Sequence, residues 1–128
     1  MKTPNLYCGK SVNGNKWISG FLCPGTHEQN KWYISITGVY GFMEVIPESI
    51  GLYTGCIDKN GAMIFDGSII KYYGAILLVA WINPITGFRL KPLNSPFKDN
   101  FDYDQTSIIY LEDKIEVIGN STDNKELL

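Results

Sequence analysis

Short apolar segments alternate with turn residues roughly every ten positions along the chain. Apolar and other residues alternate most clearly in residues 31–37. Trp32, Ile34 and Ile36 fall on one face, and Tyr33, Ser35 and Thr37 fall on the other. Because successive side chains of a strand point to opposite faces of a sheet, this pattern predicts a half-buried β-strand.

Similar apolar runs predict further strands at residues 17–22, 42–46, 52–54, 63–65, 69–81, 88–90, 108–111 and 114–118. The most strongly apolar region, 69–81, is predicted to form one or two central strands bent at Gly74, since glycine weakens a strand interior. Asn13 and Gly14 form a strong hairpin signal, because both tolerate the positive φ of a tight turn. These features predict a mostly β, antiparallel, small barrel-like or SH3-like domain with several hairpins.

Two polar stretches are expected to lie outside this sheet structure. Residues 92–106 are predicted to form an exposed loop. Residues 120–128 are expected to form at most a short C-terminal helical turn, capped by Ser121 or Thr122. In that arrangement Leu127 and Leu128 pack against the barrel.

The composition fits one globular domain over residues 1–128. The chain is 45% hydrophobic and 19% charged, which gives it enough apolar surface to form a core. Its 8 Tyr, 6 Phe and 3 Trp favour strands and exceed what one small core needs. Surplus apolar surface of this kind indicates an interface, so a homo-oligomer is expected.

The charge balance argues against duplex DNA as a partner. The formal net charge is −2 and the lysines are scattered, whereas duplex binding draws on a basic surface that neutralises phosphates. A single strand remains a candidate partner, because its bases can stack on aromatic side chains.

The cysteines and the chain start favour the cytoplasm. Cys8, Cys23 and Cys56 are odd in number and widely spaced, which is typical of reduced thiols and not of a disulfide framework. Residues 1–5 lack the pattern of a signal peptide. The longest apolar stretch, 72–82, is too short for a membrane span, so no membrane association is expected.

Residues 50–61 and 64–71 resemble the hallmark of the YopX family, a phage and prophage family whose motif reads roughly Q-Y-T-G-L-K-D-K-N-G-K-E-I-Y-E-G-D-I-V. Residues 116–120 and 126–128 are similar to the family's closing segment, E-V-I-G-N followed by E-L-L. The opening residues also agree; they are Tyr7, Gly9, Lys10, Asn13, Gly14, Trp17 and Gly20. The resemblance implies a barrel-like β fold, self-association and a phage origin, and it implies no activity.

The sequence departs from the family pattern at Leu52, Ser68 and Lys125, where the family has Gln, Asp and Pro. If the Asp of the family's E-G-D carried out chemistry, this chain would lack it at Ser68. The departure therefore favours a structural role for the central motif.

The candidate motif residues are Tyr53, Thr54, Gly55, Asp58, Lys59, Asn60, Gly61, Asp66 and Gly67. One interpretation is a partner-binding loop. The favoured interpretation is a set of turns, in which Asp58 accepts backbone N–H bonds and Gly61 takes the left-handed position.

No catalytic, metal or cofactor site is predicted. His27 lies four positions from Cys23, but Pro24 and Gly25 between them indicate a surface loop and not a catalytic dyad. The cysteines lack the short ligand spacing of a structural zinc site. Asp99, Asp102, Asp104 and Asp113 suggest a cation site, and Asp102 and Asp104 copy the opening of a calcium loop. Ser107 replaces the Gly that such a loop requires and Asp113 replaces its terminal Glu, so a solvated acidic loop is favoured.

The expected function is therefore that of a non-enzymatic phage or prophage accessory protein that acts through protein contacts. The alternative is a single-stranded nucleic-acid-binding β domain. A third hypothesis, a metal-dependent hydrolase, would use the carboxylates between Asp99 and Asp113.

Overall fold

The computed structural model describes residues 6–24, 31–36, 41–82, 87–94, 103–104 and 114–128. Two compact units make up the chain, Met1–Tyr53 and Thr54–Leu128. The single domain expected over 1–128 stays a prediction. The mostly β, antiparallel class is confirmed, since strands dominate the described residues and their helical segments are short 3-10 turns.

The first unit holds four strands and the start of a fifth. They are β1 (Tyr7–Lys10), β2 (Trp17–Pro24), β3 (Trp32–Ile36), β4 (Met43–Val45) and β5 (Gly51–Ile57), with a 3-10 turn at Pro47–Ser49. Their hydrogen-bonded order is β4-β3-β2-β1-β5, with antiparallel neighbours throughout. The hairpin predicted at Asn13 and Gly14 connects β1 to β2.

The sheet of the first unit curls toward itself. Ser11, just after β1, forms an antiparallel bridge with Val45 of β4. The Val12 N–H donates to the Glu44 carbonyl at 3.0 Å, which strengthens this contact. The fold is thus barrel-like in a loose sense, and the described strands do not form a closed barrel.

The register of β2 and β3 separates a core face from an outer face. Leu22 lies opposite Ile34, whose side chain is fully buried. Phe21 lies opposite Ser35 on the other face. Trp17 and Tyr33 share the face of Phe21, because side chains alternate along each strand.

The second unit holds the end of β5 and six further strands. They are β6 (Met63–Phe65), β7 (Ser68–Tyr72), β8 (Ala75–Ile82), β9 (Gly87–Pro92), β10 (Tyr103–Asp104) and β11 (Ile115–Asn120), with a 3-10 turn at Lys125–Leu127. Five of these strands form an antiparallel sheet in the order β10-β9-β8-β7-β11. Its core includes Ile69 and Ile70, two consecutive residues that are both fully buried. β7 is therefore covered on both faces.

Residues 69–81 form two strands, β7 and β8, joined by a tight turn at Tyr73 and Gly74, which confirms the two-strand alternative predicted for this run. The exposed loop predicted from residue 92 is wrong in part, because Pro92 is fully buried at the end of β9 and Tyr103–Asp104 pairs with that strand. The remainder of that loop, and the strand predicted at 108–111, lie outside the described residues.

The C-terminal turn forms later than expected. Its N-cap is Asn124, without a side-chain cap, and neither Ser121 nor Thr122 fills that position. Leu128 is exposed and does not pack as predicted.

Candidate functional site

The Asp58 carboxylate organises the connection between β5 and β6. Its Oδ1 accepts hydrogen bonds from the backbone N–H groups of Asn60 and Ala62, each at 2.8 Å. Its Oδ2 accepts a third from the Val117 N–H in β11 at 2.9 Å. Asp58 is only 5% exposed. One side chain thus closes a turn and attaches it to a strand that lies 59 positions later.

Opposing effects set the pKa of Asp58. Burial alone would raise the pKa, because it disfavours the charged carboxylate. The N–H bonds from Val117, Ala62 and Asn60, together with the charge of Lys59, outweigh burial and lower the pKa below its ordinary value of 3.8. The ionised form of Asp58 is therefore the one that stabilises the turn.

The rest of the turn strengthens its attachment to β11. The Lys59 N–H donates to the Ile115 carbonyl at 3.0 Å, and Lys59 Nζ lies 3.4 Å from Glu116 Oε2. Gly61 has a φ of 84°, and its N–H donates to the Asp58 carbonyl at 3.0 Å. The left-handed φ explains why glycine suits this position.

Tyr53, Thr54 and Gly55 lie within β5 and not in a loop. Thr54 is buried, and its Oγ1 donates to the Ile64 carbonyl of β6 at 2.7 Å. The same oxygen accepts from the Cys56 N–H at 3.1 Å. Gly55 has a φ of 87° inside the strand, a conformation that glycine adopts without steric strain.

Asp66 and Gly67 form the turn between β6 and β7. Asp66 Oδ1 accepts from the Trp81 N–H at 3.0 Å. Gly67 donates its N–H to the Val79 carbonyl at 2.7 Å and accepts from the Ser121 N–H at 2.8 Å. Burial raises the pKa of Asp66 and the single bond from Trp81 only partly opposes this, so its shift is opposite to that of Asp58.

We expect Asp66→Asn to leave stability at neutral pH unchanged or slightly increased, within about 0.5 kcal/mol. The asparagine keeps an acceptor for Trp81 and removes a partly buried charge. Because the folded pKa lies above 3.8, Asp66 lowers stability as pH rises from 3.8 through its raised folded pKa. Urea unfolding should be measured between about pH 3.5 and 7, a range that includes the raised pKa of Asp66. The free energy of unfolding should decline less steeply with rising pH in the variant than in the wild type. A large loss at pH 7 would contradict this assignment.

The other candidate residues give no assembled site among the described residues. His27, Asp99, Asp102 and Asp113 lie outside them, and Asp104 is placed only as part of β10. Cys8 and Cys56 are buried thiols, and Cys23 is half-buried. Within the described ranges, no three His, Cys, Asp or Glu side chains cluster as metal ligands. No described helix is long and apolar enough to cross a bilayer.

The YopX protein family model matches residues 11–128, nearly the whole chain. The chain belongs to the YopX family. Comparison with curated proteins gives no match.

The central and closing YopX segments form one hydrogen-bonded structure in the second unit. Asp58 and Lys59 of the central segment bind the backbone of Val117 and Ile115. Gly119 of the closing segment lies close to Asn124, whose Oδ1 accepts from the Asn120 N–H at 3.1 Å. The segments that carry the sequence agreement are therefore joined by hydrogen bonds to the backbone in this chain.

Ser68 has a structural role at the position where YopX sequences carry Asp. The residue is buried, and its Oγ accepts from the Phe65 N–H at 2.9 Å. A carboxylate oxygen can accept the same kind of bond. This contact supports the structural interpretation of the central motif.

The sequence motifs did not indicate two groups of surface residues, some exposed and some half-buried. The first comprises Trp17, Phe21 and Tyr33 on one face of β2 and β3; we call it the aromatic face. The second lines a surface depression in the second unit and consists of Lys59, Lys71, Tyr73, Lys114 and Glu116. The period of two could indicate which residues of each strand share a face, but it could not tell which face is covered.

Proposed function

We propose that this YopX chain is a non-enzymatic interaction module that self-associates through its aromatic face. In this proposal it is a phage or prophage accessory protein in the host cytoplasm. The exposure of Trp17 and Phe21, at 37% and 42%, carries the proposal. Both lie on β2, on the face away from the buried Ile34.

The aromatic face has the chemistry of an interface. Large aromatic side chains contribute much of the binding energy in protein complexes, because each covers a large apolar area with few rotatable bonds. Trp17 and Phe21 are four positions apart on one strand, and Tyr33 extends the patch onto β3. Related by a two-fold axis, the same patch on a second copy can cover it.

The cysteines support the proposed compartment. Cys8, Cys23 and Cys56 carry thiols and form no disulfide. Thiols are maintained in the reducing cytoplasm.

We expect the full chain to have the mass of an oligomer by light scattering at high micromolar concentration. The double variant Trp17→Thr/Phe21→Thr should shift to the monomer mass, because threonine keeps strand propensity and removes the aromatic anchors. If one aromatic side chain contributes about 2 kcal/mol to the binding free energy, its removal raises the dissociation constant roughly 30-fold.

The matched control is Phe42→Ser, which removes an aromatic that is 64% exposed and lies outside the strands. It should retain the wild-type mass. A monomeric wild-type chain at high micromolar concentration would exclude self-association. An oligomer that persists in the double variant would exclude the aromatic face.

A further inference from the structure

A depression of about 340 Å³ lies on the surface of the second unit, lined by Lys59, Lys71, Tyr73, Lys114 and Glu116. The sheet brings these residues together. Lys71 of β7 lies directly opposite Glu116 of β11 in the register, so both side chains project from the same face. Lys59 is fixed beside them by its N–H bond to the Ile115 carbonyl.

The depression is locally cationic in a chain whose net charge is −2. Three lysines line it against one carboxylate, and that carboxylate, Glu116, pairs with Lys59 at 3.4 Å. Lys71 and Lys114 are exposed and form no ion pair with the described residues. Two unpaired ammonium groups at one depression favour an anionic ligand.

Tyr73 adds an exposed ring to this charge. Its side chain is 69% exposed, and the ring of Tyr72 contacts it edge-on at a centroid distance of 4.7 Å. The backbone of Tyr73 has a φ of 52°, which bulky residues rarely adopt. Strained conformations of this kind concentrate at functional sites, and glycine or asparagine would form the same turn more easily.

We propose that this depression binds single-stranded nucleic acid. Tyr73 stacks on one base, while Lys71 and Lys114 contact the adjoining phosphates. A flat ring beside lysines matches the two parts of a nucleotide, whereas a simple anion site has no use for the ring. In a duplex the bases stack on one another and leave no face for Tyr73. The site lies within the second unit and is independent of the aromatic face.

The first test measures binding of a fluorescently labelled oligothymidylate of about 10 nucleotides to the full chain by anisotropy at low salt. We expect saturable binding with a slope of log K against log salt of about −1.4, for roughly two phosphate contacts. Lys71→Gln/Lys114→Gln should weaken binding at least about tenfold and make the slope shallower.

The matched control, Lys91→Gln/Lys125→Gln, removes the same charge from two exposed lysines outside the depression. It should change affinity less than about twofold, since screening limits distant charges. No binding at low salt, or equal loss in both double variants, would overturn the proposal. Equal binding of a matched duplex, of inorganic phosphate, or of polyglutamate would also overturn it.

The second test separates stacking from charge at Tyr73. Tyr73→Phe keeps the ring and should keep affinity within about twofold. Tyr73→Asn removes the ring and suits the left-handed backbone, so it should lower affinity about tenfold while raising the melting temperature. Unchanged affinity in Tyr73→Asn would show that the ring does not bind the ligand.

Discussion

Replacing Asp58 with alanine is expected to destabilise the second unit by about 3 kcal/mol, because three backbone N–H groups lose a charged acceptor. Two of these groups, at Asn60 and Ala62, belong to the turn and can partly recover bonds to water. The third, at Val117, attaches the turn to β11. The melting temperature should fall by about 10 °C, measured by thermal unfolding of the full chain.

Asp58→Asn gives a sharper test of the same carboxylate. The asparagine has one carbonyl oxygen, which cannot accept bonds both from the turn and from Val117, so its NH₂ group must face a backbone N–H. We expect the free energy of unfolding to fall by about 2 kcal/mol at pH 7. Amide hydrogen exchange should accelerate at Val117. The Asp66→Asn variant is the matched control, since its amide can keep the single bond from Trp81.

The pH dependence distinguishes the ionised carboxylate from a shape effect. Because the folded pKa of Asp58 is lowered, its stabilisation is complete well above pH 3.8 and is lost as pH falls from there through the lowered folded pKa. The difference in unfolding free energy between wild type and Asp58→Asn should therefore shrink on acidification through that range. A constant difference would mean that the charge of Asp58 does not stabilise the fold.

Strands and turns could be predicted from the sequence where they depend on residues that are close together in the chain. The alternation around Ile34 produced β3, and the turn at Asp58–Gly61 follows from an acceptor at its start and glycine at its end. The bond from Asp58 to Val117 could not be derived in this way. It depends on strand pairing across 59 positions, which the sequence does not specify by itself.

The surface groups were harder to predict for a related reason. A lysine becomes part of a cationic depression only when the register places it beside others, as Lys71 lies opposite Glu116. The exposure of Trp17 and Phe21 likewise depends on which face of β2 the rest of the unit covers. The left-handed conformation of Tyr73 could not be predicted, because tyrosine ordinarily indicates a strand and not a turn with positive φ.

Gly20 shows how close backbone packing constrains a strand. It lies in β2 between Tyr7 of β1 and Ile36 of β3. A Cβ added at Gly20 would overlap the carbonyl oxygen of Ser35, and the next nearest atoms are also backbone. A rotamer change cannot relieve this overlap, so β2 and β3 would have to separate.

We therefore expect Gly20→Ala to destabilise the first unit by about 3 kcal/mol, at the upper end of what overpacking costs. Hydrogen exchange should accelerate in β2 and β3, where the ladder must open, and urea unfolding should shift to lower concentration. Ser19→Ala, the neighbouring position on the opposite face, is the control and should stay within about 0.5 kcal/mol of wild type. If Gly20→Ala behaves like this control, close approach of the two backbones is not what requires glycine in β2.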